Sequence, residues 1–330
     1  MILSAPFPWF GGKSRVAADV WAAFGNVDNY IEPFAGSLAV LLNRPHAPKV
    51  ETVNDSDGLV MNFWRALKAA PEAVAEAADW PVSEVDLSAR HLRLVARRQE
   101  LTARLETDPD HFDAKLAGWW VWGVCAWIGS GWCSGKGPWV EDDGRLVLGD
   151  RGRGINRKLP HLGDRGRGIN RQLPHLSTRG QGINRQLPHL GNRGQGILEY
   201  FLALSERLRD VRVVCGDWRR ICTSDTITVR LGETAVFLDP PYFDGAIDYA
   251  EADRGVAHDV RKWALANGER MRIALCGYEG DHEMPGWSVH AWKAHGGYSS
   301  ADGENQNAQR ERVWLSPRCE PVSRQEEMFR

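Results

Sequence analysis

Two blocks of alternating helix and strand patterns constrain the fold of this chain more than any other feature. The first block begins in the first 65 residues and contains such patterns at 14–24, 29–32, 38–43, 49–53 and, across its end, 58–70. The second block, from residue 199 onward, contains them at 198–209, 211–215, 235–238, 256–267, 271–276 and 310–315. Alternation of this kind is typical of a largely parallel sheet covered by helices. We therefore predict an α/β fold whose sheet is built from both blocks.

The segment between the blocks, residues 66–198, differs in character and is interpreted as a mostly helical insertion. Residues 71–116 are rich in Ala, Glu, Arg and Leu, and prolines divide them into two or three predicted helices. A run at 118–132 then holds five of the 15 tryptophans. Core packing accounts for most of them, whereas the glycine-flanked Trp132 is a candidate for stacking on nucleic acid. The predicted domains are thus 1–65 with 199–330, and the inserted 66–198.

Residues 151–197 form a tandem repeat with a period of 14 residues. The first copy, from Arg151, is RGRGINRKLPHLGD; two close copies and a truncated one, RGQGI, follow it. Two glycines and a proline in each unit exclude a continuous helix. Either the repeat is a neutral duplication of one loop, or it forms an arginine-rich surface that grips phosphates. The candidate DNA-binding residues in it are Arg153, Arg157, Arg167, Arg171 and Arg185.

The charge of the chain is unevenly distributed. The net charge of −2, from 41 basic and 43 acidic residues, argues against a protein coated in positive charge. Residues 1–150, however, hold 14 basic and 20 acidic side chains (−6), residues 151–197 hold 10 and 1 (+9), and residues 198–330 hold 17 and 22 (−5). The repeat is therefore a basic segment between two acidic ones.

Composition and cysteine spacing exclude several other classes of protein. The chain is 43% hydrophobic and 25% charged, as expected for a globular protein rather than a disordered one. Its six cysteines form no CxxC pair, so neither a metal site nor a disulfide framework is predicted. The start lacks a signal-peptide pattern, and the apolar run at 118–128 is shorter than the roughly 20 residues of a membrane span. A cytoplasmic protein without a membrane partner is expected.

The strongest chemical motif follows the predicted strand at 235–238. It consists of Asp239, Pro240, Pro241 and Tyr242. In open α/β sheets, ligands bind at the carboxyl ends of the strands. There, a carboxylate and a proline-flanked carbonyl can accept the two protons of an exocyclic amine while an aromatic ring stacks on the attached heterocycle.

Three further motifs share this predicted location at strand ends. They are a turn with Glu32, Phe34 and Gly36, the WFGGK motif with Trp9, Gly12 and Lys13, and the acids Asp55 and Asp217. The glycine turn lets a nucleoside-containing ligand approach the backbone, and the two acids are placed to accept hydrogen bonds from ribose hydroxyls and an adenine amino group. Neither a dinucleotide nor a P-loop fingerprint is present, which argues against NAD- or ATP-binding enzymes.

In their order along the chain, the motifs resemble those of the Dam-type DNA adenine-N6 methyltransferases. The family pattern is WxGGK, EPFxGxG, an acid after the second strand, an inserted DNA-recognition region, and a second acid followed by DPPY. The resemblance covers about 1–65 and 200–330, and Leu38 stands where the family has its second glycine. It implies a Rossmann-like sheet that binds S-adenosylmethionine and transfers its methyl group to N6 of a flipped adenine in double-stranded DNA.

The resemblance also assigns roles to residues. Asp239, Pro240, Pro241 and Tyr242 would hold the target base, and the other three motifs would hold the cofactor. The aspartate of the last motif favours adenine over cytosine.

Several alternatives remain open at the level of sequence. The scaffold could be a decayed, non-enzymatic DNA-binding protein with Leu38 as its lesion, or the enzyme could act on cytosine N4 or on RNA. A monomeric enzyme from a phage or mobile element, with or without a restriction partner, is compatible with the duplicated loop.

Overall fold

The structure is a computed structural model that describes residues 3–9, 11–127, 132–133, 139–142, 145–148, 196–241, 251–292 and 310–321. The described strands are β1 (Asn29–Glu32), β2 (Val50–Asp55), β3 (Trp139–Asp142), β4 (Arg145–Leu148), β5 (Arg212–Cys215), β6 (Thr234–Leu238), β7 (Arg272–Tyr278), β8 (Ser288–Ala291) and β9 (Glu311–Leu315). The described helices are α1 (Ala17–Phe24), α2 (Ala39–Leu42), α3 (Gly58–Ala69), α4 (Pro71–Ala78), α5 (Glu84–Thr107), α6 (Ala114–Ala126), α7 (Ile197–Leu208), α8 (Arg219–Cys222), α9 (Asp225–Thr228) and α10 (Glu251–Asn267).

Seven of these strands form one sheet, in the order β5-β2-β1-β6-β7-β9-β8, and β3 pairs with β4 in a separate hairpin. The five strands from β5 to β7 are parallel, whereas β9 runs antiparallel to both β7 and β8. The chain moves outward from β1 through β2 to β5 and then returns to the other side of β1 as β6. This mixed α/β sheet agrees with the predicted fold class and is consistent with a methyltransferase fold.

Side chains alternate between two hydrophobic clusters on opposite faces of the sheet. On β6, Ala235 and Phe237 belong to the larger cluster, while Val236 and Leu238 belong to the smaller one. This alternation is what a strand covered on both faces requires. Both β1 and β6 are buried along their whole length, so they form the centre of the sheet.

The helices α4 to α6 pack on the helices of the sheet and share its larger hydrophobic cluster. Phe63 of α3 lies 5.6 Å, between ring centroids, from Trp120 of α6. Asn62 and Asp113 exchange hydrogen bonds of 2.8 and 2.7 Å between α3 and the start of α6. Because α3 spans Gly58–Ala69, the predicted boundary at residues 65/66 falls inside this helix. The DNA-recognition role of 66–198 stays a prediction.

The chain leaves and re-enters the sheet region through neighbouring helices. Ser205 of α7 donates a hydrogen bond of 2.8 Å to the carbonyl of Lys68 on α3. The side chain of Arg65 donates to the carbonyl of Val213 on β5 at 3.0 Å. The two ends of the helical segment are thus fixed next to each other.

Polar side chains determine where three of the helices begin. Asp57 caps α3 by accepting the Leu59 amide, Ser83 caps α5, and Asp113 caps α6. Such caps satisfy backbone N–H groups that have no partner within the helix. In the described part of the chain, no helix combines the length and apolar character that a membrane span requires.

Candidate active site

The candidate site lies at the carboxyl edge of the sheet, where the strand order reverses between β1 and β6. The register pairs Ile31 with Val236 and Asp55 with Cys215, so these parallel strands end side by side. The predicted acids Glu32, Asp55, Asp217 and Asp239 stand at or just after the ends of four of them. Ligands of open α/β sheets bind at this reversal point. The fold thus brings together the motifs that the sequence placed at strand ends.

The turn after β1 is held by the acid at the end of β2. Asp55 Oδ2 accepts the Gly36 amide at 3.0 Å, and its Oδ1 accepts the Asp57 amide at 2.9 Å. Burial raises the pKa of Asp55 to about 6, against the lowering effect of these hydrogen bonds. Gly36 has φ +43°, a conformation that side chains with a Cβ rarely adopt. Asp55 therefore fixes the glycine turn as well as presenting a carboxylate beside it.

Asn54 is a site residue that the motif comparison missed. Its Nδ2 donates to the carbonyls of Pro33 at 3.1 Å and Gly216 at 2.9 Å, which joins the loops after β1 and β5. Its own carbonyl accepts the Ala35 amide at 2.8 Å. The only sign of Asn54 in the sequence was its place in the polar run that follows the predicted strand at 49–53.

The WFGGK motif folds directly onto the glycine turn. A Cβ on Gly36 would lie 2.5 Å from Nε1 of Trp9, so the indole occupies the space that a side chain there would need. The Gly12 amide donates to the Trp9 carbonyl at 3.2 Å, and Gly11 has φ +70°. Trp9 remains 37% exposed. Trp9 and Gly36, 27 positions apart in sequence, thus form one surface.

Lys13 lies at the predicted catalytic acid rather than only beside the cofactor motifs. Its Nζ is 3.0 Å from Asp239 Oδ2 and 4.0 Å from Glu311 Oε2, and it donates to the Gly11 carbonyl at 2.8 Å. Burial alone would lower the pKa of Lys13, but Asp239, Cys276 and Glu311 outweigh it and hold the pKa above its ordinary value. Lys13 is therefore a buried cation. Its predicted contact with the cofactor is not tested by this geometry.

The DPPY motif begins directly at the end of β6. The side chain of Asp239 is 23% exposed, and its Oδ2 faces Lys13. Pro240 is buried and Pro241 is half-buried, so the backbone there is fixed at the edge of the site. Tyr242 lies outside the described residues.

Glu32 is located deeper than the prediction of a cofactor contact suggests. It is 2% exposed, and its Oε2 accepts the Tyr30 hydroxyl at 2.9 Å and the Leu41 amide at 3.3 Å. Burial raises the pKa of Glu32 to about 8, while these hydrogen bonds act in the opposite direction. These contacts support a structural role at the end of β1, and a contact with the cofactor stays a prediction.

Asp217 stands after β5 with its side chain 53% exposed. Arg219 donates to it from both its amide, at 2.8 Å, and its guanidinium, at 3.0 Å. Next to it, Trp218 lies 6.4 Å from Phe34, measured between ring centroids, with the rings inclined by 33°. Trp218 was missed by the sequence analysis, although it directly follows the predicted acid. The two aromatic rings lie between the ends of β1 and β5.

Leu38 adopts the backbone conformation that a glycine would adopt without strain. Its φ and ψ are 54° and 28°, and its side chain is fully buried. For a residue with a Cβ, this left-handed region costs about 1–2 kcal/mol. The local backbone is therefore of the glycine type although the residue is leucine.

The predicted DNA contacts are only partly within the described residues. Trp132 is half-buried, and its Nε1 donates to the Trp120 carbonyl at 3.1 Å. A Cβ on Gly123 would lie 1.8 Å from its ring, so the indole packs on α6. These contacts favour core packing over the predicted stacking on nucleic acid. The repeat arginines, Arg153, Arg157, Arg167, Arg171 and Arg185, lie outside the described residues.

No group of three or more His, Cys, Asp or Glu side chains in the described ranges is arranged to hold a metal ion.

A mixed α/β sheet with acids at its strand ends and a glycine turn at the reversal point is consistent with a methyltransferase fold. The model of the family described as D12 class N6 adenine-specific DNA methyltransferase matches residues 9–87 of the chain. This match confirms the predicted resemblance to Dam-type adenine methyltransferases, and with it the prediction of an enzyme. Methyltransferases of this family normally use S-adenosylmethionine. No curated protein matches the chain.

Proposed function

We propose that this protein transfers a methyl group from S-adenosylmethionine to N6 of adenine in double-stranded DNA. The observation that carries the proposal is the position of Asp239. It follows the central strand β6 at the reversal point, is held by buried Lys13, and lies at the same sheet edge as the Gly36 turn and Asp55. A family match that includes the WFGGK motif, the glycine turn and Asp55 supports it.

The residues at this edge fit the proposed cofactor chemically. Asp55 and Asp217 end or follow the neighbouring strands β2 and β5, and each carboxylate can accept more hydrogen bonds than it receives here. Phe34 and Trp218 add aromatic surface between the strand ends. Asp55 would accept ribose hydroxyls and Asp217 the adenine amino group. When bound, S-adenosylmethionine supplies an electrophilic methyl group.

The target adenine must leave the helix, because N6 is engaged in base pairing; extrusion costs a few kcal/mol. In the site, the Asp239 carboxylate and the Pro240 carbonyl would accept the two N6 protons, while Tyr242 stacks on the ring. These hydrogen bonds draw the nitrogen lone pair out of the ring system and aim it at the methyl carbon. As the C–N bond forms, the bond from the methyl carbon to the sulfonium sulfur would break and leave a neutral thioether, and N6 would release one proton through Asp239 to solvent. Positioning and electrostatics supply the rate.

Mutation of Asp239 tests the proposal most directly. Asp239→Ala is expected to reduce methyl transfer to DNA by at least about 10³-fold, because the main acceptor for N6 is lost. Binding of S-adenosylmethionine, measured by calorimetry, should persist. Asp225→Ala, which removes an exposed carboxylate paired with Arg270 at 3.4 Å, is the matched control and should keep full activity.

The modified nucleoside decides the substrate. Digestion of the product and mass spectrometry should find N6-methyladenine. N4-methylcytosine, methylated RNA alone, or full turnover by Asp239→Ala would each overturn the corresponding part of the proposal.

We also propose that residues 66–198 read the DNA, since a pocket for one flipped base cannot recognise a sequence. The net charge of +9 at 151–197 supports phosphate contacts by the repeat arginines. Deletion of the two units at 165–192 should weaken DNA binding and lower the slope of log K against log salt by about 0.9 for each lost phosphate contact. An unchanged slope would show the repeat to be a neutral expansion.

A further inference from the structure

Lys13 has a second carboxylate beside it, on a strand that none of the motifs includes. Glu311 is the first residue of β9, which runs antiparallel to β7, so it lies at the same edge of the sheet as the end of β6. It is 4% exposed, and its Oε2 is 4.0 Å from Lys13 Nζ. Asp239 Oδ2 is 3.0 Å from the same nitrogen. One buried ammonium group is therefore shared by two carboxylates.

The sharing changes how strongly Asp239 can accept a hydrogen bond. With a single partner, a buried lysine would draw the negative charge of Asp239 toward itself and weaken the carboxylate as an acceptor. A second carboxylate competes for the same cation, and the charges of these three described groups sum to −1. Charges this close interact strongly when water is excluded.

We propose that Glu311 is a positioning residue for methyl transfer, which acts through Lys13 to keep Asp239 a strong acceptor for the amino group of the target base. The proposal rests on the proposed function of Asp239. It assigns a role to a residue outside the motifs that resemble the family pattern, on the last strand of the chain to be described.

Other described groups also lie near Asp239 and Lys13. Cys276 on β7 and Glu32 on β1 interact electrostatically with Asp239, and the Trp292 ring lies 5.9 Å from Lys13 Nζ. Burial raises the pKa of Cys276 well above its ordinary value, so it stays neutral near pH 7. Glu311 is the carboxylate nearest to Lys13 after Asp239 among the described ion pairs.

Removing the charge of Glu311 gives an effect with a defined sign. In Glu311→Gln, Lys13 loses one of the two carboxylates described beside it and attracts the Asp239 carboxylate more strongly, which weakens Asp239 as an acceptor. We expect kcat to fall by about tenfold at pH 7.5, with little change in the KM for S-adenosylmethionine. Glu311→Asp, which retains the charge, should recover most of kcat.

The matched control is Glu279→Gln, which removes an exposed carboxylate paired at 2.7 Å with Arg312, the residue next to Glu311. It should leave kcat unchanged. An unchanged kcat in Glu311→Gln would overturn the inference. So would a loss of activity in Glu311→Gln that Glu311→Asp does not relieve, since a structural role would behave in this way.

A readout without turnover separates this inference from the proposed function. The carboxyl carbon of Asp239 can be observed by carbon-13 NMR at pH 7.5, assigned as the aspartate signal missing in Asp239→Asn. Its chemical shift should change in Glu311→Gln, where the neighbouring charge is lost, and stay unchanged in Glu279→Gln. An unchanged chemical shift in Glu311→Gln overturns the inference whatever the activity. Absence of methyl transfer by the unmodified protein overturns only the proposed function.

Discussion

The two ends of the central sheet use buried acids in opposite ways. At the amino end, Glu51 of β2 is 3% exposed and is held by Arg44 at 3.1 Å and by Arg207 at 2.7 Å. The same two arginines also donate to the backbone carbonyls of Val27 and Leu41. This amino-end cluster ties β2 to the loop before β1, to α2 and to α7, and its carboxylate is enclosed by two cations of the protein.

At the carboxyl end, Asp55 accepts two backbone amides, and Asp239 and Glu311 share Lys13. The side chain of Asp239 is 23% exposed, whereas that of Glu51 is 3% exposed. These acids are therefore not equivalent: Glu51 is enclosed by two arginines and stabilises the fold, while Asp55 and Asp239 keep carboxylate oxygens that can accept further hydrogen bonds.

The largest expected effect on stability is at the amino end. Glu51→Gln would leave the buried guanidinium of Arg44 and that of Arg207 without their carboxylate, and should lower the free energy of unfolding by about 3–5 kcal/mol. Urea unfolding measures this. Asp239→Ala, at the other end, should lower it by less, because Glu311 remains beside Lys13 and Asp239 is itself partly exposed. Equal losses in the two variants would remove the distinction between the two ends.

A smaller effect is expected at the glycine turn. Gly36→Ala adds a Cβ 2.5 Å from the Trp9 indole at a residue with φ +43°, and should cost about 1–3 kcal/mol of stability. Binding of S-adenosylmethionine should weaken by about tenfold, because the turn and Trp9 form one surface.

Gly196→Ala is the control for that change, since nothing lies within 4 Å of a Cβ at Gly196. Calorimetry on both variants should show weaker binding only for Gly36→Ala. Identical affinities would mean that the turn has no part in holding the cofactor.

The smallest expected effect concerns Leu38 and tests whether leucine at this position marks a scaffold that has lost its catalytic activity. Leu38→Gly and Leu38→Ala both remove a fully buried side chain, but only glycine relieves the left-handed backbone at φ 54°. The glycine variant should therefore be about 1 kcal/mol more stable than the alanine variant. Binding of S-adenosylmethionine should be at least as tight in the unmodified protein as in Leu38→Gly. A large gain in affinity or turnover in Leu38→Gly would identify leucine as a lesion.

Local patterns were sufficient to predict the central elements and to place the candidate acids at one edge of the sheet. The strand at 29–32 is observed with the same bounds, and the predicted helices after Pro71 are α4, α5 and α6. The last of these extends past the predicted limit of 116 to Ala126 and takes up most of the tryptophan run. Strand-end acids were also recognisable, because a polar residue after a short apolar strand marks the sheet edge.

Contacts between distant residues could not be predicted in this way. Neither the pairing of Lys13 with Asp239 nor the approach of Glu311 leaves a local pattern, since more than 200 residues separate Lys13 from each of them. β8 was missed because it has only four residues, three of which are exposed. For Trp132, the sequence showed the flanking glycines but not the fit of its ring against Gly123.

The hydrogen bond between α3 and α7 has a consequence for how the gene can change. It holds the point where the chain leaves the sheet region, at Lys68, beside the point where it returns, at Ser205. The 14-residue units lie between these two positions in the sequence, and whole units of a tandem repeat can be gained or lost by slippage during replication. Unit number is therefore a property in which otherwise similar chains can differ, and one that selection can adjust separately from the chemistry.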